Sequence, residues 1–166
     1  MPIIEIKTAS ENKRQGCPKN VRLMGLDLGE KTIGVAISDT AQSLATPVET
    51  IIRTKFSKDV EALAKIIREY EVKAYILGWP LNMDGSESKR CGSVRSFADE
   101  MLNKNDVFGH DAWIGLWDER LSTQAVEENV DSRVDISKKS KRASKEQGLT
   151  DKLAAQFILQ GWLDFL

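Results

Sequence analysis

Three carboxylates stand where a carboxylate is either costly or conspicuous. Asp27 lies within the apolar run RLMGLDL, residues 22–28, between Leu26 and Leu28. Buried alone there, an ionised carboxylate would cost several kcal/mol, so it must be paired, metal-bound or at an open edge. Glu119, just after Asp118, follows on a second apolar run, AWIGLW at residues 112–117. Asp151 opens the last apolar stretch, DKLAAQFILQGWL at 151–163. Taken singly, two of these acids have a plain explanation. Glu119 is then a solvated strand-end charge beside Arg120, and Asp151 a first-turn helix acid that suits the helix dipole. Gathered at one end of a sheet, however, the three would repel one another unless a cation sat among them. An all-oxygen ligand set suits Mg2+ or Mn2+ rather than zinc. Two such ions about 3.5–4 Å apart would clamp a phosphodiester for in-line attack by water.

Other chemistries find less support. The chain has one histidine, His110, in the polar loop Phe108-Gly109-His110-Asp111. It is expected to be exposed, and it favours neither a Ser-His-Asp triad nor a histidine-rich metal site. No activated nucleophile is evident, so no covalent intermediate is expected. Two cysteines, Cys17 and Cys91, are too few for a disulfide framework or a structural zinc site, and they read as reduced thiols.

The elements that must position the acids follow from periodicity. Residues 22–28 and 32–38 are short apolar runs separated by Gly29-Glu30-Lys31, which predicts a hairpin. Residues 47–53 add a third strand, with Pro47 at its first position. Val60, Leu63, Ala64 and Ile67 recur at helical spacing over 57–70, with Ser57 as the expected N-cap. Residues 73–78 form a buried strand, 91–104 a helix, 112–117 a further strand and 122–130 a short helix started by Ser122 and Thr123. A last helix is expected from Asp151 to Leu166, with Thr150 as its N-cap. Three antiparallel strands followed by helix-linked parallel ones predict one mixed sheet with helices packed on its faces.

Composition sets the outer bounds. With 166 residues, 41% hydrophobic and 30% charged, the chain fits one globular domain with a sizeable core. No apolar run approaches the roughly 20 residues of a bilayer span, and the start MPIIEIKTASENKRQG lacks a signal-peptide core. No membrane partner is expected, and the cytoplasm is the default location. Residues 1–20 read as a flexible N-terminal arm and 21–166 as the folded domain. A formal net charge of −1 is uninformative about nucleic acid, because binding depends on where charges sit. The stretch SKKSKRASK, residues 137–145, places Lys138, Lys139, Lys141 and Arg142 immediately before Asp151 with no acid among them. A solvated segment is the plain reading; a cationic flap over the acid site, gathering a polyanion, is the favoured one. Lys31 at the hairpin tip is either a phosphate contact or a solvated turn lysine. Arg120 carries a planar fork suited either to phosphate or to a salt bridge with a neighbouring acid.

Four motifs tie these acids together: GLDLGEKTIGVAISD (25–39), YILGWPLNMDGSE (75–87), WDERLST (117–123) and DKLAAQFILQGWL (151–163). In this order they resemble the YqgF/RuvX family of the ribonuclease H-like superfamily, close in fold to the Holliday-junction resolvase RuvC. The resemblance implies a ribonuclease H-like α/β fold, with a five-stranded mixed sheet in the order 3-2-1-4-5 and helices on both faces. It implies a Mg2+- or Mn2+-dependent nuclease whose three acidic positions fall on Asp27, Glu119 and Asp151; Asp131 and Asp135 are weaker rivals for the third. It points to pre-16S ribosomal RNA as substrate, with branched DNA as the alternative and the ribosomal small subunit as a further partner. A non-catalytic RNA-binding module on the same fold is the rival reading. An actin-like phosphotransferase, which also follows Asp-Leu-Gly with a hairpin, would need a second such domain. A monomer and a homodimer are both compatible with the sequence. Trp79 stands where the family carries a smaller aliphatic residue; it reads as core, with a base-stacking platform as its other possible role.

Overall fold

Near-continuous apolar runs become the middle strands and 3.6-residue patterns become helices, joined in one mixed sheet. The computed structural model describes residues 3–6, 16–110, 112–120 and 144–164, with 3–6 and 144–151 described by their backbone alone. The elements are β1 (Ile3–Ile6), β2 (Arg22–Leu28), β3 (Thr32–Ser38), β4 (Ala45–Ile52), α1 (Phe56–Tyr70), β5 (Val72–Trp79), α2 (Lys89–Asn103), α3 (Asn105–Phe108), β6 (Trp113–Asp118) and α4 (Ser144–Asp164). The strand order is β1-β6-β5-β2-β3-β4. β2, β3 and β4 pair antiparallel; β5 runs parallel to β2, β6 to β5 and β1 to β6.

Five of these strands reproduce the expected order 3-2-1-4-5. The sixth, β1, comes from the segment expected to be an arm: Ile3 to Ile6 lie beside Ile114 to Trp117. The sheet is therefore six-stranded, and its β6 side is closed by the chain's own start. A parallel neighbour cannot be reached by a tight turn, so α1 carries the chain from β4 to β5, and α2 with α3 from β5 to β6.

The middle strands are apolar on both faces because both faces are covered. Alternation along β2 sends Met24, Leu26 and Leu28 into a core shared with α1 and α2. It sends Leu23 and Gly25 to the opposite face, under α4. There Trp162 meets Trp113 and Trp117 edge to face, with centroids 5.4 and 6.5 Å apart. That geometry adds to the burial of three large side chains. Gly25 is what lets the helix sit so low, since a Cβ there would come within 2.7 Å of the Leu159 Cβ and 3.1 Å of the Ala155 carbonyl.

Three local expectations are corrected. Pro47 is the third residue of β4, on the sheet's edge and beside a register shift, where a missing N–H costs the ladder little. α1 begins at Phe56 after Lys55, with no side-chain cap. Buried Asp59 instead accepts the Thr54 N–H at 3.0 Å and faces Arg53 Nε at 3.9 Å. The last helix begins at Ser144, so Asp151 is its eighth residue, Thr150 is no cap, and the helix-dipole rationale for that acid lapses. Among the described residues, no helix is long and apolar enough to cross a membrane.

Candidate active site at the carboxyl ends of the parallel strands

Alternation along the three parallel strands lays out one row. On the α4 face, Asp27 follows Gly25 by two residues on β2, Gly78 follows Ile76 on β5, and Glu119 follows Trp117 at the end of β6. Leu26 pairs with Leu77, so Asp27 and Gly78 stand level, and Gly78 pairs with Trp117, so Glu119 stands two residues further along. Asp27 is half-buried although its neighbours Leu26 and Leu28 are buried, so it sits at the open edge of the core.

Gly78 is the gap that lets the two acids approach. Glu119 lies back across β5, and a Cβ at Gly78 would stand 3.0 Å from its Cγ and 2.7 Å from Ile158 Cδ1. Burial pushes the Glu119 carboxyl up to about 7, the Asp27 charge pushes the same way, Arg90 opposes, and Asp118 adds a smaller upward push. Asp27 and Glu119 are thus near enough to repel through a poorly solvated space. Gly78→Ala tests the gap. The added methyl should displace Glu119 and lower cleavage about a hundredfold, at a stability cost of only ~1–2 kcal/mol, because what must give is the far end of two flexible side chains. Wild-type turnover in a folded Gly78→Ala protein would remove Glu119 from the site.

Asp151 falls outside the residues whose side chains are described; only its place on α4 is known. Gln156 Nε2 donates to the Ala45 carbonyl at 3.0 Å, and Gln160 Nε2 to the Ser43 carbonyl at 3.0 Å. From Gln156 to Gln160 the helix therefore runs toward the start of β4, antiparallel to β2. Position 151 is one turn before Ala155 on the row that touches Gly25, roughly 6 Å toward the carboxyl ends of the strands. Asp27 is two strand residues in the same direction, again roughly 6–7 Å. The backbone thus brings the two positions to the same end of the sheet. Lys138, Lys139, Lys141, Arg142, the expected helix 122–130, Asp131 and Asp135 all lie outside the described residues.

Among the described residues, no group of three or more His, Cys, Asp or Glu gathers closely enough to hold a metal ion. The Asp27–Glu119 pair nevertheless fits a hard divalent cation. It is oxygen-only, and the burial and the repulsion by Asp27 that drive Glu119 toward its protonated form are what a cation would offset.

The other candidates separate cleanly. Lys31 is exposed at the β2–β3 turn. Arg120 is committed to a salt bridge: its Nε and Nη2 meet wholly buried Asp118 at 3.0 and 2.6 Å. Its Nη1 reaches the Met83 carbonyl at 3.3 Å, tying the loop between β5 and α2 to the end of β6. In that loop Asp84 accepts from the Ser86 N–H and hydroxyl, and Gly85 takes φ +90° in the turn. Trp79 is fully buried, with the Arg95 guanidinium 5.0 Å from its ring centroid, so it is core and not a stacking platform. His110 is exposed, as expected.

Sequence reasoning missed Gly78, Arg90 and Arg53. Gly78 had a signal, since a glycine inside an otherwise apolar strand marks a close approach. Arg90 and Arg53 had none that set them apart from other surface cations. They donate to the carbonyls of consecutive residues, Leu28 and Gly29, just beyond Asp27.

The family model described as "RuvX: Holliday junction resolvase" matches residues 21–165. A protein of Rhodospirillum centenum named "Putative pre-16S rRNA nuclease" is 50% identical over 149 residues, 90% of this chain and 76% of its own length. Proteins with the same name from Paramagnetospirillum magneticum (47% identical, 88% of this chain, 87% of its own) and Ruegeria sp. (45%, 96% and 94%) match as well. Among solved structures, T. thermophilus RuvC in complex with a Holliday junction substrate aligns over 87% of this chain and 93% of its own, at 11% identity and a TM-score of 0.49. With nearly the whole folded region matched, and relatives identical at about half the aligned positions, this chain belongs to the RuvX (YqgF) family.

Proposed function

We propose that this protein is a divalent-metal-dependent nuclease that hydrolyses phosphodiester bonds in structured RNA, with the end of pre-16S ribosomal RNA as its substrate. The observation that carries the reading is the Asp27–Glu119 pair brought together over Gly78. Two carboxylates aimed into one poorly solvated space serve stability badly and cation binding well. Asp27, Glu119 and Asp151 are the residues that would hold Mg2+ or Mn2+, through a two-ion arrangement. Such ions supply charge neutralisation at the phosphorus and lower the pKa of water at neutral pH.

The chain's own residues define what else the site does. Asp27 comes from a central strand held between two cores, so its position is fixed by the sheet. Glu119 keeps a proton up to about pH 7 when no cation competes for it. The loop between β5 and α2 is tied to the end of β6 by Arg120. The names of the relatives favour ribosomal RNA; the family model's description favours a four-way DNA junction as the second substrate. The small ribosomal subunit is a proposed partner on the same ground, and cytoplasmic action follows from that substrate.

Asp27→Asn tests the reading directly. Mn2+-dependent cleavage of a pre-16S rRNA fragment should fall to the uncatalysed background. RNA affinity in EDTA should hold or rise, because a negative charge leaves the phosphate-facing surface. Cleavage of a four-way junction and not of the RNA fragment would reassign the substrate. Wild-type protein that binds RNA and cleaves neither would establish a binding module.

A further inference from the structure

The second residue of α2 puts a guanidinium beside the carboxylate pair without pairing it to either acid. Arg90 Nη2 donates to the Leu28 carbonyl at 2.9 Å, one residue beyond Asp27. Its charge is felt at Glu119. Among the described residues it makes no ion pair and no second hydrogen bond, and the residue is exposed. Arg53, on the next carbonyl, differs. It also faces Asp59 at 3.9 Å and lies over the Phe97 ring at 5.7 Å, so its charge and its flat face are both in use.

We propose that Arg90 is a substrate-contacting residue that grips a non-bridging phosphate oxygen of the nucleic-acid chain beside the Asp27–Glu119 pair. The identity of the anion rests on the nuclease reading above. A phosphodiester brought to two carboxylates meets their repulsion, and a fixed cation at the rim offsets it. A guanidinium is always charged, so it does this with or without metal. One nitrogen anchored on Leu28 leaves the other N–H donors of a planar fork oriented for phosphate oxygens, with little side-chain entropy left to lose. Arg53 and Arg90 together hold the turn that leaves Asp27, but the Arg53 charge is already shared with Asp59, whereas no described acid pairs with Arg90.

The experiment is a binding titration in EDTA, using a short fluorescein-labelled single-stranded RNA across a salt series, with each variant's melting temperature measured alongside. Arg90→Gln should weaken binding about tenfold at low salt and reduce the log–log salt slope by about 0.7, the value for one phosphate contact on a single strand. Its melting temperature should stay at the wild-type value. Arg90→Lys should restore the slope but not the full affinity, since the charge returns without the fork. Lys89→Gln, next in the chain and exposed, should change both by less. An unchanged slope in Arg90→Gln, or equal effects of Arg90→Gln and Lys89→Gln, would overturn the contact in favour of a general surface field. If Arg90→Gln fails to fold, Arg90→Lys decides: a kept slope with several-fold weaker binding supports the contact, and wild-type affinity overturns it. Failure of the nuclease reading would show separately, as wild-type protein that binds this RNA but cleaves nothing with Mn2+.

Discussion

Glu119→Gln should abolish cleavage and, in the same protein, raise stability above neutral pH. The carboxyl is pushed from the ordinary 4.5 up to about 7 in the folded chain, first by burial and then by Asp27. Between those values the folded state holds a proton that the unfolded state has released. Folding is therefore penalised progressively as pH rises from about 4.5 to about 7, and the penalty stays constant above that. At pH 8 the integrated loss is roughly 3 kcal/mol, an upper figure because the side chain keeps some solvent. Glutamine carries no such penalty. In EDTA the variant should melt at nearly the wild-type temperature near pH 4.5 and several degrees above it at pH 8. Saturating Mg2+ should narrow the gap, because only the wild type gains from binding. A variant less stable than wild type at both pH values would mean that Glu119 is well solvated, and the case for a strained carboxylate pair would go with it.

That trade between stability and cation affinity explains how unevenly the site reads from sequence. Asp27 was conspicuous because one residue type contradicted its strand; alternation alone then assigns it to the face of Gly25 and α4. Glu119 was identifiable from its place after an apolar run, but its neighbour Asp118 looked equivalent. The strand's alternation separates them. Asp118 turns into the α1–α2 side and is neutralised by Arg120, while Glu119 turns toward Asp27. The strand order followed from the switch between hairpin and crossover connections, which are local signals. β1 did not follow from such a signal. Four residues with three isoleucines can dock on any open edge, and only the assembled sheet shows that the edge is β6. The start of α4 was misplaced for a related reason. Thr150-Asp151 has the chemistry of a cap, yet the helix continues back through Gly148 to Ser144, against propensity. The arginines on Leu28 and Gly29 were invisible because their function depends on two carbonyls more than twenty residues away.

Arg120 offers the sharpest separation between holding the site together and touching the substrate. Its fork satisfies both oxygens of Asp118, a carboxylate with no solvent exposure, and its remaining nitrogen pins the loop at Met83. Arg120→Ala removes all of this and leaves a buried charge without its partner. Removing one member of a buried pair costs about 3–5 kcal/mol, and the 29% exposure of the arginine side chain favours the lower end, about 3 kcal/mol. The expected result is a fall in melting temperature of roughly 6–12 °C. A second substitution should recover much of it: Asp118→Asn in the Arg120→Ala background removes the orphaned charge, so the double variant should be more stable than Arg120→Ala alone. A phosphate-binding arginine behaves oppositely. Its loss would flatten the salt dependence of RNA binding, spare the melting temperature, and be indifferent to Asp118. Unfolding of the single and double variants, read beside RNA binding of the folded fraction, distinguishes the two. The bidentate geometry, with Asp118 beneath the surface and Arg120 turned inward to meet it, commits this residue to the first outcome and leaves the contact with the nucleic-acid backbone to Arg90.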